Sequence, residues 1–359
     1  MCAWKYKRLM PKVTVAKLNL IKPKKITDLV GMNLHHISSM LEKTPYKTEI
    51  SKINPKGLSS NSLEGALLKN FVKTYDEFLG VSPKSIRLLL SWFLAKFEAN
   101  CIKAILRAKE AELSVDEAMK YVTPVRKLDE ERCKKILEMS ENIKDVVKSL
   151  SDTKYGSVLE KAFAVYEEEK TFYLLEVALD RYVYSMIWKA IRKLGGSDKK
   201  IAGTVIGIEI DSANIKTILR CKAMGIRENQ INRYLIPISA VFDEKEFEEL
   251  MSESDIQSFI NSLVRIARLA MARDHVYIFT EIQQHNVTSL AAIETILDRG
   301  LIETNLRMLK RHTSFFNIGL LLAYLNLKWF EVRNLRAIIR GSEGGISPDR
   351  VKKMLVLPR

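Results

Sequence analysis

One stretch of sequence occurs three times in this chain and decides how the rest is interpreted. It reads FEANCIKAILRAK from Phe97 to Lys109, IDSANIKTILRCK from Ile210 to Lys222, and FEVRNLRAIIRGS from Phe330 to Ser342. Self-similarity at a roughly fixed period marks a structural unit that is repeated along the chain. The question is therefore what one unit looks like and what three of them build.

The spacing of the three copies equals the length of a domain. Arg107 and Arg220 are 113 residues apart, and Arg220 and Arg340 are 120 residues apart. An apolar residue follows six positions after each arginine, and a proline follows 17 or 18 positions after it. This order predicts a helix, a turn and a short second helix in every copy. We expect three homologous helical domains, with these boundaries: residues 1–124, residues 125–237 and residues 238–359.

A second, weaker similarity lies upstream of the repeated helix. The segments SMLEKTPYKTEI (residues 39–50) and KSLSDTKYGSVL (residues 148–159) share the pattern Leu-x-x-Thr-x-Tyr. The third copy should carry this element between residues 255 and 280, but no Thr-x-Tyr occurs there. The repeat is therefore expected to be incomplete at that place.

The composition predicts an all-α fold. Only 15 of the 359 residues are Gly and 9 are Pro, so the turns that a many-stranded β protein requires are scarce. Apolar spacing of three and four predicts a long helix from Leu175 to Leu194, before a Gly-Gly pair. Ile201 to Ile210 is rich in β-branched residues but has no partner run, so we interpret it as helical or irregular. Pro11 predicts that no helix runs unbroken from the first residue.

Placed at 100° per residue, the repeated helix buries an acid together with its apolar face. The acid nine residues before each arginine is Glu98, Asp211 or Glu331, and Asn214 and Asn334 lie at the edge of the same sector. Buried polar groups need hydrogen-bond partners. We therefore predict a structural network at these five positions, which fixes how helices cross.

The cations of the repeated helix point the other way. These predicted outer-face residues are Arg107, Arg220, Arg340, Lys103, Lys216 and Arg336. They could form salt bridges within or between domains, or they could contact a partner protein. The sequence leaves both alternatives open.

Motifs that carry chemistry do not occur in the sequence. It contains no GxxxxGK[ST] phosphate loop, no GxSxG and no HExxH. The four cysteines form no CxxC pair and have no nearby histidine at the spacing of a zinc site. We predict no catalytic residue, no cofactor and no metal.

The net charge of +15 attracts polyanions of any kind, including nucleic acid, anionic lipid and acidic protein surfaces. Acids alternate with the basic residues over most of the chain, and only the first 25 residues form a purely basic run. The longest apolar run, from Phe316 to Leu327, is too short for a transmembrane helix, and the N-terminus lacks the apolar region of a signal peptide. Charge alone does not choose the partner.

The C-terminal segment carries a family resemblance. LLAYLNLKWFEVRNLRAIIRGSEGGISPDRVKKMLVL, from Leu321 to Leu357, resembles the closing signature of the C subunits of archaeal-type (A/V-type) ATP synthases, the counterparts of the d subunit of V-ATPases. Asp211, Asn214 to Lys216 and Thr44-Pro45-Tyr46 are similar to earlier parts of the same family pattern. The resemblance covers about residues 26–359.

The resemblance implies three similar helical domains arranged about a pseudo-threefold axis as a funnel. It implies a non-catalytic part of the central stalk, with shaft subunits and a proteolipid rotor ring as partners and no nucleic acid. The chain would then lie at the cytoplasmic face of the cell membrane, in peripheral contact only. The alternative that the composition leaves open is a basic helical scaffold that binds nucleic acid or an anionic membrane surface.

Overall fold

The fold is all-α, as the composition predicts. The structure, a computed structural model, describes residues 3–284, 289–311 and 317–358. Within these ranges helices account for nearly all regular structure, and the only β feature is an isolated bridge between Val125 and Leu128. The ambiguous segment Ile201 to Ile210 is helical.

The α-helices of the described ranges are numbered in chain order. The first group is α1 (Met10–Leu18), α2 (Pro23–Thr27), α3 (Leu34–Leu41), α4 (Lys47–Ile50), α5 (Ser60–Val81), α6 (Lys84–Glu110) and α7 (Val115–Met119). The second is α8 (Glu130–Met139), α9 (Ile143–Ser149), α10 (Gly156–Glu169), α11 (Tyr173–Arg192), α12 (Gly196–Ala223) and α13 (Glu228–Ile231). The third is α14 (Glu244–Ser252), α15 (Ile256–Leu269), α16 (Arg273–Gln284), α17 (Leu290–Arg311), α18 (Ile318–Glu343) and α19 (Pro348–Met354). Short 3₁₀ turns occupy Ala3–Tyr6, Pro55–Gly57 and Asn232–Tyr234.

The repeated element forms the C-terminal half of a long helix in every copy. Helices α6, α12 and α18 have 27, 28 and 26 residues. Arg107, Arg220 and Arg340 each stand three residues before the end of their helix. The three arginines therefore occupy the same place in the same kind of element.

The turn after each long helix is closed by the same hydrogen bond. The backbone N–H six residues after the arginine donates to the carbonyl oxygen one residue after it, at 2.9 Å in all three copies. The pairs are Leu113 to Ala108, Ile226 to Cys221 and Ile346 to Gly341. The residue before each donor has a positive φ, which is why Gly stands there in two copies (Gly225 and Gly345), with Glu112 in the first.

A short helix follows each of these turns. Helix α7 begins with the predicted capping box, in which Ser114 and Glu117 satisfy each other's backbone N–H groups. Helix α19 begins at Pro348 as predicted, although the Ser347 side chain does not cap it. The order of helix, turn and short helix is therefore confirmed in all three copies.

Two further local predictions are confirmed. The long helix predicted from Leu175 to Leu194 is α11, shifted by two residues at each end. Near the N-terminus a 3₁₀ turn precedes α1, and Pro11 is the second residue of α1. Proline is tolerated there because the first N–H groups of a helix have no intrahelical partner.

The chain forms two compact units. One contains Met1–Thr14, Ile191–Phe330 and Val356–Arg359, and the other contains Val15–Ala190 and Glu331–Leu355. The division into three domains at residues 124 and 237 stays a prediction.

Each unit has its own apolar core. In the unit that contains Val15–Ala190, the rings of Phe71, Tyr75 and Phe97 pack edge to face, with centroids 4.9 to 6.2 Å apart. In the other unit Phe279 packs against Phe242, with centroids 6.2 Å apart. No helix in the described ranges has the length and apolar character that a bilayer crossing requires.

Candidate functional site

The three acids of the repeated helix are buried. Their residues expose 8% (Glu98), 0% (Asp211) and 4% (Glu331) of their surface. Each accepts hydrogen bonds from side chains or backbone outside its own helix. The prediction that these acids are buried and hydrogen-bonded is therefore confirmed.

Two of the acids bind the tyrosine of the Thr-x-Tyr pattern. The hydroxyl of Tyr155 donates to Oε2 of Glu98 at 2.8 Å, and the hydroxyl of Tyr46 donates to Oε1 of Glu331 at 2.8 Å. Burial raises the pKa of Tyr155, and the charge of Glu98 raises it further. The upstream similarity and the repeated helix are therefore parts of one contact.

The third acid uses a histidine in place of the tyrosine. Asp211 accepts hydrogen bonds from Ser239 Oγ at 2.5 Å and from the Ala240 N–H at 3.1 Å, and its Oδ2 lies 2.8 Å from Nε2 of His275. His275 precedes Arg340 by 65 residues, as Tyr155 precedes Arg220 by 65.

The element that the sequence pattern lacks in the third copy is thus present with a different residue. From the sequence alone His275 was interpreted as an isolated histidine, and that interpretation is wrong. Its spacing to the arginine was the signal that could have identified it.

The asparagines are buried as predicted, but the first copy differs. Asn214 donates to the carbonyl oxygens of Ile236 at 3.1 Å and Ile238 at 3.3 Å, and it accepts from the Ile236 N–H at 2.8 Å. Asn334 exposes only 3% of its surface. It therefore belongs to the interior of the unit that contains Glu331–Leu355.

In the first copy the position of these asparagines is taken by Cys101, whose sulfur lies 3.5 Å from that of Cys133. The hydrogen bond with Cys133 and burial raise the pKa of Cys101. Both thiols are free and buried.

Each of the three arginines pairs with a glutamate of a neighbouring helix. The pairs are Arg107 with Glu176 of α11, Arg220 with Glu294 of α17 and Arg340 with Glu64 of α5. The Arg340 pair uses two nitrogens, Nε to Oε1 at 2.5 Å and Nη2 to Oε2 at 2.9 Å. Of the two alternatives that the sequence left open, the salt bridge is what the structure contains.

The second cation of the repeated helix pairs with the same neighbouring helix. Lys103 binds Asp180 at 2.8 Å, and Lys216 binds Asp298. Each aspartate lies four residues after the glutamate that binds the arginine, so both acids lie on one face. In the third case Leu68 stands where an aspartate would be expected, and Arg336 binds Glu64 instead, at 2.7 Å.

The second cations are more shielded than predicted. The side chains of Lys103, Lys216 and Arg336 expose only 13%, 17% and 16% of their surface. The prediction of an open outer face is wrong for these three, because the neighbouring acidic helix covers them. Burial lowers the pKa of Arg336, against the opposite effect of the Glu64 charge. Arg107, by contrast, keeps 62% of its side chain exposed.

Both sets of contacts follow one order along the chain. The first repeat's arginine and acid bind residues of the second, the second repeat's bind residues of the third, and the third repeat's bind residues of the first. Every pair lies inside one of the two compact units. Each repeated helix is therefore held at two levels, by a buried acid contact and by ion pairs further along the same helix.

No cluster of metal ligands accompanies these contacts. Within the part of the chain that the structure describes, no three His, Cys, Asp or Glu side chains converge as metal ligands. His285 and His312 lie outside the described residues.

These contacts define a class of protein, an all-helical repeat scaffold whose repeats are joined by buried acids and ion pairs. Comparison with protein families narrows that class. The model of the ATP synthase (C/AC39) subunit family matches residues 9–354. The chain belongs to this family.

Curated relatives of the same description align over most of the chain. The C subunit of the A-type ATP synthase of Archaeoglobus fulgidus is 26% identical over 359 residues, which are 99% of this chain and 96% of the relative. The C subunit from Methanocaldococcus jannaschii is 26% identical over 95% of this chain and 82% of its own length. That of Methanosphaera stadtmanae is 28% identical over 82% of this chain and 74% of its own length. The similarity therefore extends over all three repeats.

Proposed function

We propose that this chain is a non-catalytic central-stalk subunit of a rotary A/V-type ATP synthase, a socket that couples the soluble shaft to the proteolipid ring during proton or sodium transport. Its partners would be the shaft subunits and the ring of the same complex, with no nucleic acid. It would lie at the cytoplasmic face of the membrane, in peripheral contact. Its three repeats would be arranged about a pseudo-threefold axis as a funnel.

The observation that carries the proposal is the threefold pairing of the repeated helix. A part that transmits torque must resist shear between its helices. Side chains that cross from one helix to the next oppose such sliding, because any displacement breaks hydrogen bonds to charged groups that water does not fully replace. Two linked levels per repeat provide this resistance three times.

The cyclic order of the pairs supports the predicted arrangement of repeats. A linear array would leave the last repeat's Arg340 and Glu331 without a partner from the first repeat. Here Arg340 binds Glu64 and Glu331 binds Tyr46. An order in which the third repeat binds the first is what a closed set of three requires.

Removal and return of the chain in the reconstituted complex tests the coupling role. Without the chain, we expect the soluble sector to hydrolyse ATP while ATP-driven ion uptake into vesicles stops. Adding the purified chain should restore uptake. Normal uptake in its absence, or ATP hydrolysis by the chain alone, would contradict the proposal.

A salt titration tests the nucleic-acid alternative. Binding through phosphate contacts weakens steeply as salt rises, by several orders of magnitude between 50 and 200 mM for about six to ten contacts. We expect any DNA binding by this chain to be weak and lost in that range, and the association with the shaft and ring to persist through it.

A further inference from the structure

The segment from Val15 to Lys25 combines exposed lysines with exposed aliphatic side chains. It reads VAKLNLIKPKK, has four lysines and contains no acid. We call it the basic strip. It lies within one compact unit and covers the end of α1 and the beginning of α2.

The lysines of the basic strip are available for an external partner. Lys22, Lys24 and Lys25 are exposed, and Lys17 is half-buried. No ion pair joins any of the four to a carboxylate within the described residues. Elsewhere in the chain basic residues alternate with acids, so a local excess of four positive charges sets this strip apart.

Two branched aliphatic side chains stand beside these lysines. Val15 exposes 59% of its surface and Leu18 exposes 76%. They are three residues apart on α1, so they share one face of the helix. Exposure of both in a segment that is otherwise cationic gives a surface with an apolar part and a positive part.

The strip is fixed in place by the buried network. The backbone N–H of Ile21 donates to Oε2 of Glu331 at 2.5 Å, and Ile26 is buried just beyond the lysines. The strip is therefore presented by the folded protein. Its side chains can bind a surface without first paying the entropy of ordering the backbone.

The chemistry of the strip favours anionic lipid over other polyanions. Every cation in it is lysine, whose compact charge suits diffuse attraction, whereas carboxylate recognition between proteins favours the planar fork of arginine. Single-stranded nucleic acid is bound with aromatic rings, and the strip has none. Aliphatic side chains next to lysines match the boundary between acyl chains and anionic headgroups.

We propose that Val15–Lys25 is a membrane contact, in which the lysines bind anionic headgroups and Val15 and Leu18 enter the acyl boundary. This rests on the proposed function only in that it names the surface of the peripheral contact. The contact would supplement the protein partners and hold the protein near the bilayer.

Vesicle co-sedimentation of the full chain tests the proposal. Phosphatidylcholine vesicles with 40% phosphatidylglycerol are compared with pure phosphatidylcholine at 50 and 300 mM salt. We expect binding to the anionic vesicles only, weakened at 300 mM. A lysine near an anionic surface contributes about five-fold in affinity, so K22Q/K24Q/K25Q should bind about 100-fold more weakly. V15S/L18S should lose roughly ten-fold and keep the salt dependence.

A matched control removes the same charge elsewhere. Lys127, Lys144 and Lys161 are exposed, and K127Q/K144Q/K161Q should bind within about three-fold of the unchanged protein. Equal loss in the control and strip variants would overturn the proposal, as would absence of binding to anionic vesicles. Far-UV circular dichroism and the thermal midpoint must match among variants that are compared.

Two further outcomes separate the alternatives. If the strip variant loses binding to double-stranded DNA as strongly as to vesicles while V15S/L18S changes neither, the strip is a general polyanion site and the lipid proposal is wrong. If ion uptake is restored by a chain that does not bind vesicles, the coupling function stands and only the membrane contact fails.

Discussion

Replacement of Glu64 by glutamine should destabilise the protein much more than the same change at Glu294. Both glutamates stand at the same place in the repeat and bind the closing arginine of a long helix. Glu64, however, also binds Arg336 and is only 7% exposed in its side chain. The two substitutions therefore compare the same pair in two degrees of burial.

The expected sizes follow from what each change leaves behind. Glu64→Gln removes the negative charge that three arginine N–H groups contact, and Arg336 stays in a site with 16% side-chain exposure. Breaking a largely buried charged pair costs about 2–4 kcal/mol in the free energy of unfolding. At the other pair, Arg220 is 48% exposed and Glu294 is 24% exposed. There water replaces much of the interaction, and Glu294→Gln should cost less than about 1 kcal/mol.

Urea unfolding followed by far-UV circular dichroism measures both changes. Arg340→Gln and the double variant with Glu64→Gln complete a double-mutant cycle, in which we expect a coupling energy of about 1–3 kcal/mol. The Glu294 effect should shrink at 0.5 M salt and the Glu64 effect should largely persist. Equal costs for the two glutamates, or no coupling between Glu64 and Arg340, would refute the argument that burial sets the strength of these pairs.

Two other changes test the packing around the repeats. Because the folded state raises the pKa of Tyr155, it keeps the phenol proton above pH 10, where the unfolded chain loses it; stability is therefore complete below about pH 10 and falls above it. Tyr155→Phe should flatten this fall and cost about 1 kcal/mol at pH 7 through the lost bond to Glu98, whereas Tyr121→Phe, at a 60% exposed site, should alter neither slope nor stability; an unchanged slope in Tyr155→Phe would contradict the assignment. A Cβ at Gly300 would lie 2.5 Å from a side-chain methylene of the facing helix, so Gly300→Ala should lower stability by about 1–3 kcal/mol. Gly203 has open space, and Gly203→Ala should raise helix stability by about 0.5–1 kcal/mol in the same urea assay; opposite signs would show that the helix packing is misjudged.

The sequence by itself determined the elements of this protein and their phase. Apolar spacing and scarce glycine predicted helices, and the three copies of one helix predicted the repeat. The burial of Glu98, Asp211 and Glu331 followed from their angular position, because helical periodicity is a local property that neighbouring residues fix. The turn after each long helix was also local, since six residues close its hydrogen bond.

Only the tertiary structure decided which residues meet. Tyr46 and Glu331 are 285 residues apart in the chain, and Tyr155 and Glu98 are 57 apart. No local pattern encodes such a pairing, so the sequence left open whether the arginines bind inside the protein and missed His275 as the third aromatic partner. The shielding of Lys103 was missed for the same reason. A helical wheel gives the direction of a side chain, but its exposure depends on the helix that packs against that face, and long-range packing alone decides which helix that is.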